Sequence, residues 1–182
     1  LADVLARGRV AGNTLNYGST GPGTTPHLSM ATFARMSGIP LTHISYRGPA
    51  ELVIALQAGD VHLYADIPNL VLKESGFRVL ATLSPERNAA FPDAPTMREI
   101  GFDLDFSIWL GLFAPLNTPQ PIIDRYEAAC ERATRAPAVI QGHERLQMPV
   151  MFRNAREFTA IVAGDAERFR RIIEEGNLRA AE

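Results

Sequence analysis

The sequence is poor in cysteine and in basic charge, and each shortage removes a class of function. Cys130 is the only cysteine in 182 residues. One thiol excludes an internal disulfide and a cysteine-rich metal site. It falls in a helical stretch beside Ala128 and Ala129 and reads as a buried structural thiol, because a nucleophilic cysteine needs an exposed, electropositive setting. Lys and Arg total 18 against 20 Asp and Glu, a net charge of −2. A nucleic-acid binder usually carries a basic field, so no nucleic-acid partner is expected. The densest basic stretch, 168–171, lies at helical spacing with Glu167, Glu174 and Glu175 and reads as a solvated helix face. No apolar run is long enough to span a bilayer; the longest, 107–115, has the length of a strand. No basic-then-apolar leader is visible at Leu1, so no signal peptide is read. His-Glu-x-x-His and other metal-ligand spacings are missing, as is a Gly-x-Ser-x-Gly elbow. Accordingly no metal, cofactor or catalytic residue is expected.

What is present is an alternation of strand-like and helix-like segments, the pattern of an α/β fold with a largely parallel sheet. A strand is expected over 14–17 and a helix over 26–36, with Thr24 or Thr25 as N-cap, Pro26 in the first turn and Gly38 as the stop. A strand over 41–46, a helix over 50–58 closed by Gly59, and a strand over 61–65 ending at Asp66 follow. Beyond them come a short helix over 68–74, a strand over 78–83, and a turn over 96–100 with the capping-box pair Thr96 and Glu99. The remainder reads as a strand over 106–114, helices over 122–135 and 138–146, a short strand over 150–152, and a helix over 156–175. That last helix carries a stripe of Phe158, Ile161, Val162, Phe169, Ile172 and Ile173.

The segment richest in chemical meaning is Gly18-Ser19-Thr20-Gly21-Pro22-Gly23-Thr24-Thr25-Pro26-His27, which leads from a strand into a helix. Glycines let backbone N–H groups face one point, hydroxyls add donors, and the helix start adds positive dipole. Together these can form a nest for an anion. A capped strand-to-helix turn uses the same residues, so both readings stand. Nucleotide readings fail. A phosphate loop of the Gly18-xxxx-Gly23 spacing needs Lys where Thr24 stands, and a dinucleotide fingerprint starting at Gly21 needs Gly where Pro26 stands. Two further strand ends carry polar groups: Tyr46-Arg47-Gly48, and Asp66 with Asn69 beyond it. In open α/β sheets ligands bind outside the carboxyl ends of the strands. Asp66 serves equally well as a helix cap. Ser19, Ser29 and Ser45 are candidate nucleophiles and His27, His43 and His62 candidate bases, but no spacing joins them into a triad.

Five motifs occur in order. They are Tyr17-Gly18-Ser19-x-Gly21-x-Gly23 with His27 four residues on; Tyr46-Arg47-Gly48; Gly59-Asp60-Val61 followed by Asp66; Pro92-Asp93-x-Pro95-Thr96 with Glu99 and Gly101; and Trp109-x-Gly111-Leu112-Phe113-Ala114-Pro115 with Thr118-Pro119. The set resembles the solute-binding receptors of tripartite tricarboxylate transporters, the Bug proteins, over nearly the whole chain. The resemblance implies a periplasmic binding protein-like (type II) α/β fold and no enzymatic activity. It implies capture of a small carboxylate (an amino acid, a dicarboxylate or a nicotinate-like acid) in the periplasm, for membrane transporter subunits. Carried over position by position, the ligand-binding set is Ser19, Thr20, Gly21, Gly23, Thr24, Thr25, His27, Tyr46, Arg47, Gly48, Asp66 and Asn69. Two departures bear on ligand choice: Pro22 removes one loop N–H, and Tyr64-Ala65 stands where the family often has an aromatic directly before the Asp. The alternative from the residues alone is an α/β transferase or hydrolase using the nest at 18–25.

The resemblance also implies a further N-terminal portion of roughly a hundred residues, one domain's worth. Residues 1–13 would then be a leading helix or linker, 14–105 the complete second ligand-binding lobe, and 106–182 the crossover strand and helices returning to an incomplete first lobe. The 158–172 stripe would lack its usual cover, and an uncovered apolar patch favours self-association.

Overall fold

In a computed structural model of the chain, residues 1–67 and 76–178 are described. The elements run α1 (Ala2–Gly8), β1 (Leu15–Ser19), α2 (Thr25–Ser37), β2 (Leu41–Ser45), α3 (Pro49–Ala58), β3 (Leu63–Tyr64), a 3-10 turn (Arg98–Ile100), α4 (Gln120–Thr134), α5 (Pro137–Arg145) and α6 (Ala155–Gly176). The expected helix over 68–74 lies outside the described residues.

The sheet has the order β2-β1-β3, and both pairings are parallel, as the alternation predicts. β1 sits in the middle with Leu15, Tyr17, Gly18 and Ser19 buried, as a strand covered on both faces should be. α3 packs on it through Leu52, which is fully buried. A Cβ on Gly18 would come within 2.9 Å of Leu52 Cγ and Cδ1, so glycine is what lets helix and strand close on each other. α2 ends in Gly38 and α3 in Gly59, both left-handed at φ 68° and 82°, the stop geometry the sequence suggests. The capping box forms as expected: Thr96 N–H donates to Glu99 Oε2 (3.0 Å), and Glu99 N–H to Thr96 Oγ1 (3.1 Å).

The chain divides into two compact units. Of the described residues, the first holds Leu1–Asp66, 76–107 and 169–178; the second holds Ile67 and Ile108–Arg168. In the first, Tyr17, Leu28, Phe33, Ile39, Leu63, Met97, Leu104, Phe106 and Ile172 form one buried cluster. Each such side chain stabilises by roughly 1.5–3 kcal/mol relative to exposure. The second unit is held by smaller groupings. Trp109 meets the edge of Phe158 at 5.1 Å and donates its indole N–H to Asp165 Oδ2 (2.7 Å), and Ala155 N–H donates to Glu127 Oε2 (2.6 Å). Cys130 is half-buried there.

Three expected strands are not strands. Over 78–83 the ladder reduces to one bridge, Thr82 with Thr96. Along 106–114, among the described residues, only Phe106 N–H finds a strand-like partner, Leu83 O at 2.8 Å, and 150–152 is irregular. An apolar run supplies the side chains of a strand but not the neighbouring backbone that completes its hydrogen bonds. The stripe on α6 is covered in part: Phe169 stacks on Phe106 at 5.6 Å and Ile172 is buried. The most exposed apolar side chains lie elsewhere, at Leu110, Leu112, Phe113 and Leu116.

Candidate functional site

All three strands point the same way, so their carboxyl ends share one edge. Ser19 lies level with Ser45, and Gly18 with Tyr64. The loop after β1, the Tyr46-Arg47-Gly48 segment after β2 and Asp66 after β3 therefore leave the sheet side by side. The sequence places these groups at strand ends; only the strand order makes them neighbours. Asn69 lies outside the described residues.

The loop is built inward as well as outward. Gly21 and Gly23 take φ of 134° and 78°, a region that penalises any side chain. Ser19 is fully buried. Its hydroxyl accepts the Gly21 N–H (3.1 Å), lies 3.1 Å from Gly21 O and sits 2.7 Å from His43 Nε2. Thr24 is the N-cap residue of α2, yet its hydroxyl makes no cap bond and donates instead to Gly21 O (2.7 Å). Gly23 N–H donates to His27 Nδ1 (3.1 Å), and Thr24 N–H to Gly21 O (3.3 Å). The amides of Gly21, Gly23 and Thr24 are thus used within the loop. Among the described residues, those of Thr20, Thr25 and His27 have no acceptor. The donor set open to an anion is therefore narrower than the glycine pattern suggests, and lies around Thr20 and the first turn of α2.

Beneath the loop, the ring of His27 (α2) sits 4.3 Å from that of His43 (β2), and Tyr17 (β1) stacks on His43 at 5.0 Å. Burial pushes the Tyr17 phenol up to about 12. Burial also lowers both imidazoles from the ordinary histidine value, and a charge on His27 would lower His43 further. His27 is buried, so the imidazole faces the protein. His62, the third candidate base, accepts Asn16 N–H at Nδ1 (3.0 Å), level with the start of β1 and away from the carboxyl edge. His43 was expected only as a candidate base. Its pairing with Tyr17 across β1 and β2 follows from strand register, which the sequence does not display.

On the neighbouring strand ends, Arg47 N–H donates to Glu51 Oε2 (3.2 Å), which ties the entry of α3. The Arg47 side chain is exposed and makes no ion pair with a described residue, leaving a cation at the carboxyl edge. Tyr46 is half-buried beside it. Tyr64 O–H donates to Asp66 Oδ2. Burial first, then this bond, raises the Tyr64 phenol. No group of His, Cys, Asp and Glu among the described residues is arranged to hold a metal ion. No described helix is long and apolar enough to cross a membrane.

A family profile described as "Tripartite tricarboxylate transporter family receptor" matches residues 1–178. Among curated proteins, the UPF0065 protein in the gbd 5' region of Cupriavidus necator is 29% identical over 184 residues, covering 100% of this chain and 56% of that relative. Protein BugT of Bordetella pertussis is 26% identical, covering 84% of this chain and 48% of BugT. The chain thus spans about half the length of these relatives. Among solved structures, R. palustris Rpa4515 with adipate superposes with a TM-score of 0.83 at 24% identity, over 98% of this chain and 61% of that one. MatC of Rhodopseudomonas palustris with bound malate superposes with a TM-score of 0.70 at 27% identity, over 87% and 56%. A periplasmic binding protein, BugD, gives a TM-score of 0.73 at 22% identity, over 95% of this chain and 64% of that one. The periplasmic binding protein-like α/β fold expected from the motifs is therefore the fold observed.

Proposed function

We propose that this chain, which belongs to the tripartite tricarboxylate transporter receptor family, is the part of a periplasmic receptor that carries one side of a small-carboxylate site. The observation that carries the reading is the shared carboxyl edge of three parallel strands. There the amides of Thr20, Thr25 and His27, which have no acceptor among the described residues, follow β1, and the exposed Arg47 cation follows the neighbouring β2. Amides at a helix start together with a cation suit a carboxylate. Thr20, Thr25, Tyr46, Arg47 and Gly48 line this edge, with Asp66 and its Tyr64 partner bounding it. Ser19, Gly21, Gly23, Thr24 and His27 shape the loop from within, and Asn69 completes the proposed set. The solved relatives whose titles carry adipate and malate make dicarboxylates the first class to try. Delivery to membrane transporter subunits belongs to the same proposal, as does the assignment of 14–105 to one ligand-binding lobe and 106–182 to the return into the other. The matched family is one of receptors, and no observation favours the transferase or hydrolase alternative.

Thermal unfolding against adipate, malate, aspartate, glutamate, citrate and nicotinate tests it. A ligand at about a hundred times its Kd stabilises the native state by roughly 2.7 kcal/mol, a clear rise in midpoint. Thr25→Pro removes one open N–H at a helix position that tolerates proline, and Arg47→Ala removes the cation. The rise should shrink in both. A rise that survives both substitutions would move the site elsewhere, and no rise with any acid would deny this chain a working site of its own.

A further inference from the structure

Several features outside the proposed ligand contacts invite a role. A cavity of about 280 Å³ lies between α2 and the end of α6, lined by Thr32, Arg35, Ile172 and Glu175, but the Arg35–Glu175 ion pair (3.0 Å) already satisfies its charges. The exposed apolar side chains at 108–116 have nothing that identifies their cover. The histidine pair under the glycine loop goes further, because its bonds have a direction.

We infer that His27 and His43 are positioning residues of the ligand loop: His27 pins Gly23 by accepting its N–H at Nδ1, and His43 pins the loop's first residue by holding the Ser19 hydroxyl. The inference rests on the reading of 18–25 as ligand loop for its consequence, though not for its geometry. An imidazole that accepts at Nδ1 carries its single neutral proton on Nε2. Adding a second proton puts N–H against N–H at Gly23, and the bond is lost. His43 is more tolerant. Its Nε2 faces a hydroxyl that can donate to it, or accept from it while donating to Gly21 O at 3.1 Å. With the rings 4.3 Å apart, one charged imidazole disfavours a charge on the other. The remaining groups facing the pair are the Tyr17 phenol and the Ser19 hydroxyl from β1. Among the described residues no carboxylate or cation bonds to either ring.

The loop therefore keeps its form only while His27 is neutral. Burial lowers both histidines below the ordinary value of 6.5. The unfolded chain binds protons near that value that the folded chain refuses. Stability is thus fully present above about pH 6.5 and is lost as pH falls below it, toward the folded values. Acid would loosen the loop before the rest of the sheet, and ligand affinity would fall with it.

The test is a titration of the intact 182-residue chain followed by ¹⁵N imidazole and amide NMR. Near pH 7.5, His27 should show an unprotonated Nδ1. As pH falls below 6.5, the Gly23 amide should shift with the same midpoint as His27, and its protection against exchange, relative to the intrinsic rate at each pH, should drop roughly three- to tenfold, the range one net hydrogen bond supports. His27→Asn places an amide oxygen where Nδ1 stands; it should retain Gly23 protection and flatten its pH dependence. His27→Leu should lose the protection at every pH. An Nδ1-protonated His27 at neutral pH, or a Gly23 amide indifferent to the His27 titration, would overturn the inference whether or not any acid binds. Adipate affinity, measured across the same pH range, reads the functional consequence separately. If Gly23 follows His27 while adipate never binds, the positioning role stands and the carboxylate reading fails.

Discussion

The two units of this chain solve the burial problem to very different extents. In the first, side chains of β1, α2, α3, the 96–106 segment and the end of α6 close on one another; Leu52 and Val61 are shielded completely. In the second, neither α4 nor α5 buries a single residue, and every buried apolar side chain among the described residues belongs to the first unit. Yet the second unit is not polar. Leu110, Leu112, Phe113 and Leu116 are each at least 70% exposed, and α4 and α5 are amphipathic by sequence. Amphipathic helices and an apolar run are necessary for a core, but a core needs a facing layer. The candidate site is on the unit that has one, which is where a site should be if its groups are to be held still.

This contrast can be broken by mutation. The largest effect should come from Leu52→Ala, which leaves a cavity under β1: about 2–5 kcal/mol lost in chemical denaturation. A loss under 1 kcal/mol would mean the first unit is far looser than its packing indicates. Gly18→Ala should follow, at about 1–3 kcal/mol, because the added methyl meets a Leu52 that has no space to retreat. Thr96→Ala removes half of the capping box and should cost about 1 kcal/mol by the same measurement. Smallest should be Ile122→Ala on α4, 45% exposed, within about 0.5 kcal/mol of the parent. An effect there as large as that of Leu52→Ala would show that the second unit hides a core in solution, through self-association or otherwise. Sedimentation of the parent and of Leu116→Ser would then separate a self-associated second unit from a monomeric one.

Much of the first unit was legible from local rules. The stops at Gly38 and Gly59, the proline start of α2, and the Thr96–Glu99 box depend on residues within one helical turn, and each lies where the sequence indicates. The strand over 106–114 failed because its evidence was only apolarity; pairing is a property of two segments, and a sequence window contains one. The glycine loop was identified as a loop and as a candidate anion nest, but the sharing of its donors was not legible. Gly21 and Gly23 amides look available in sequence and are consumed by Ser19 and His27 in space.

By itself the sequence determined the α/β class, the parallel sheet, the boundaries of α2 to α6 to within about two residues and the family, because these follow from periodicity, caps and ordered motifs. The tertiary structure alone decided which strand lies in the middle, that Ser19 is buried rather than presented, and that His43 reaches the loop through the Ser19 hydroxyl. Those depend on register and on which faces meet, and contacts between residues 24 or more apart in the chain, such as Ser19 with His43, leave no spacing to read.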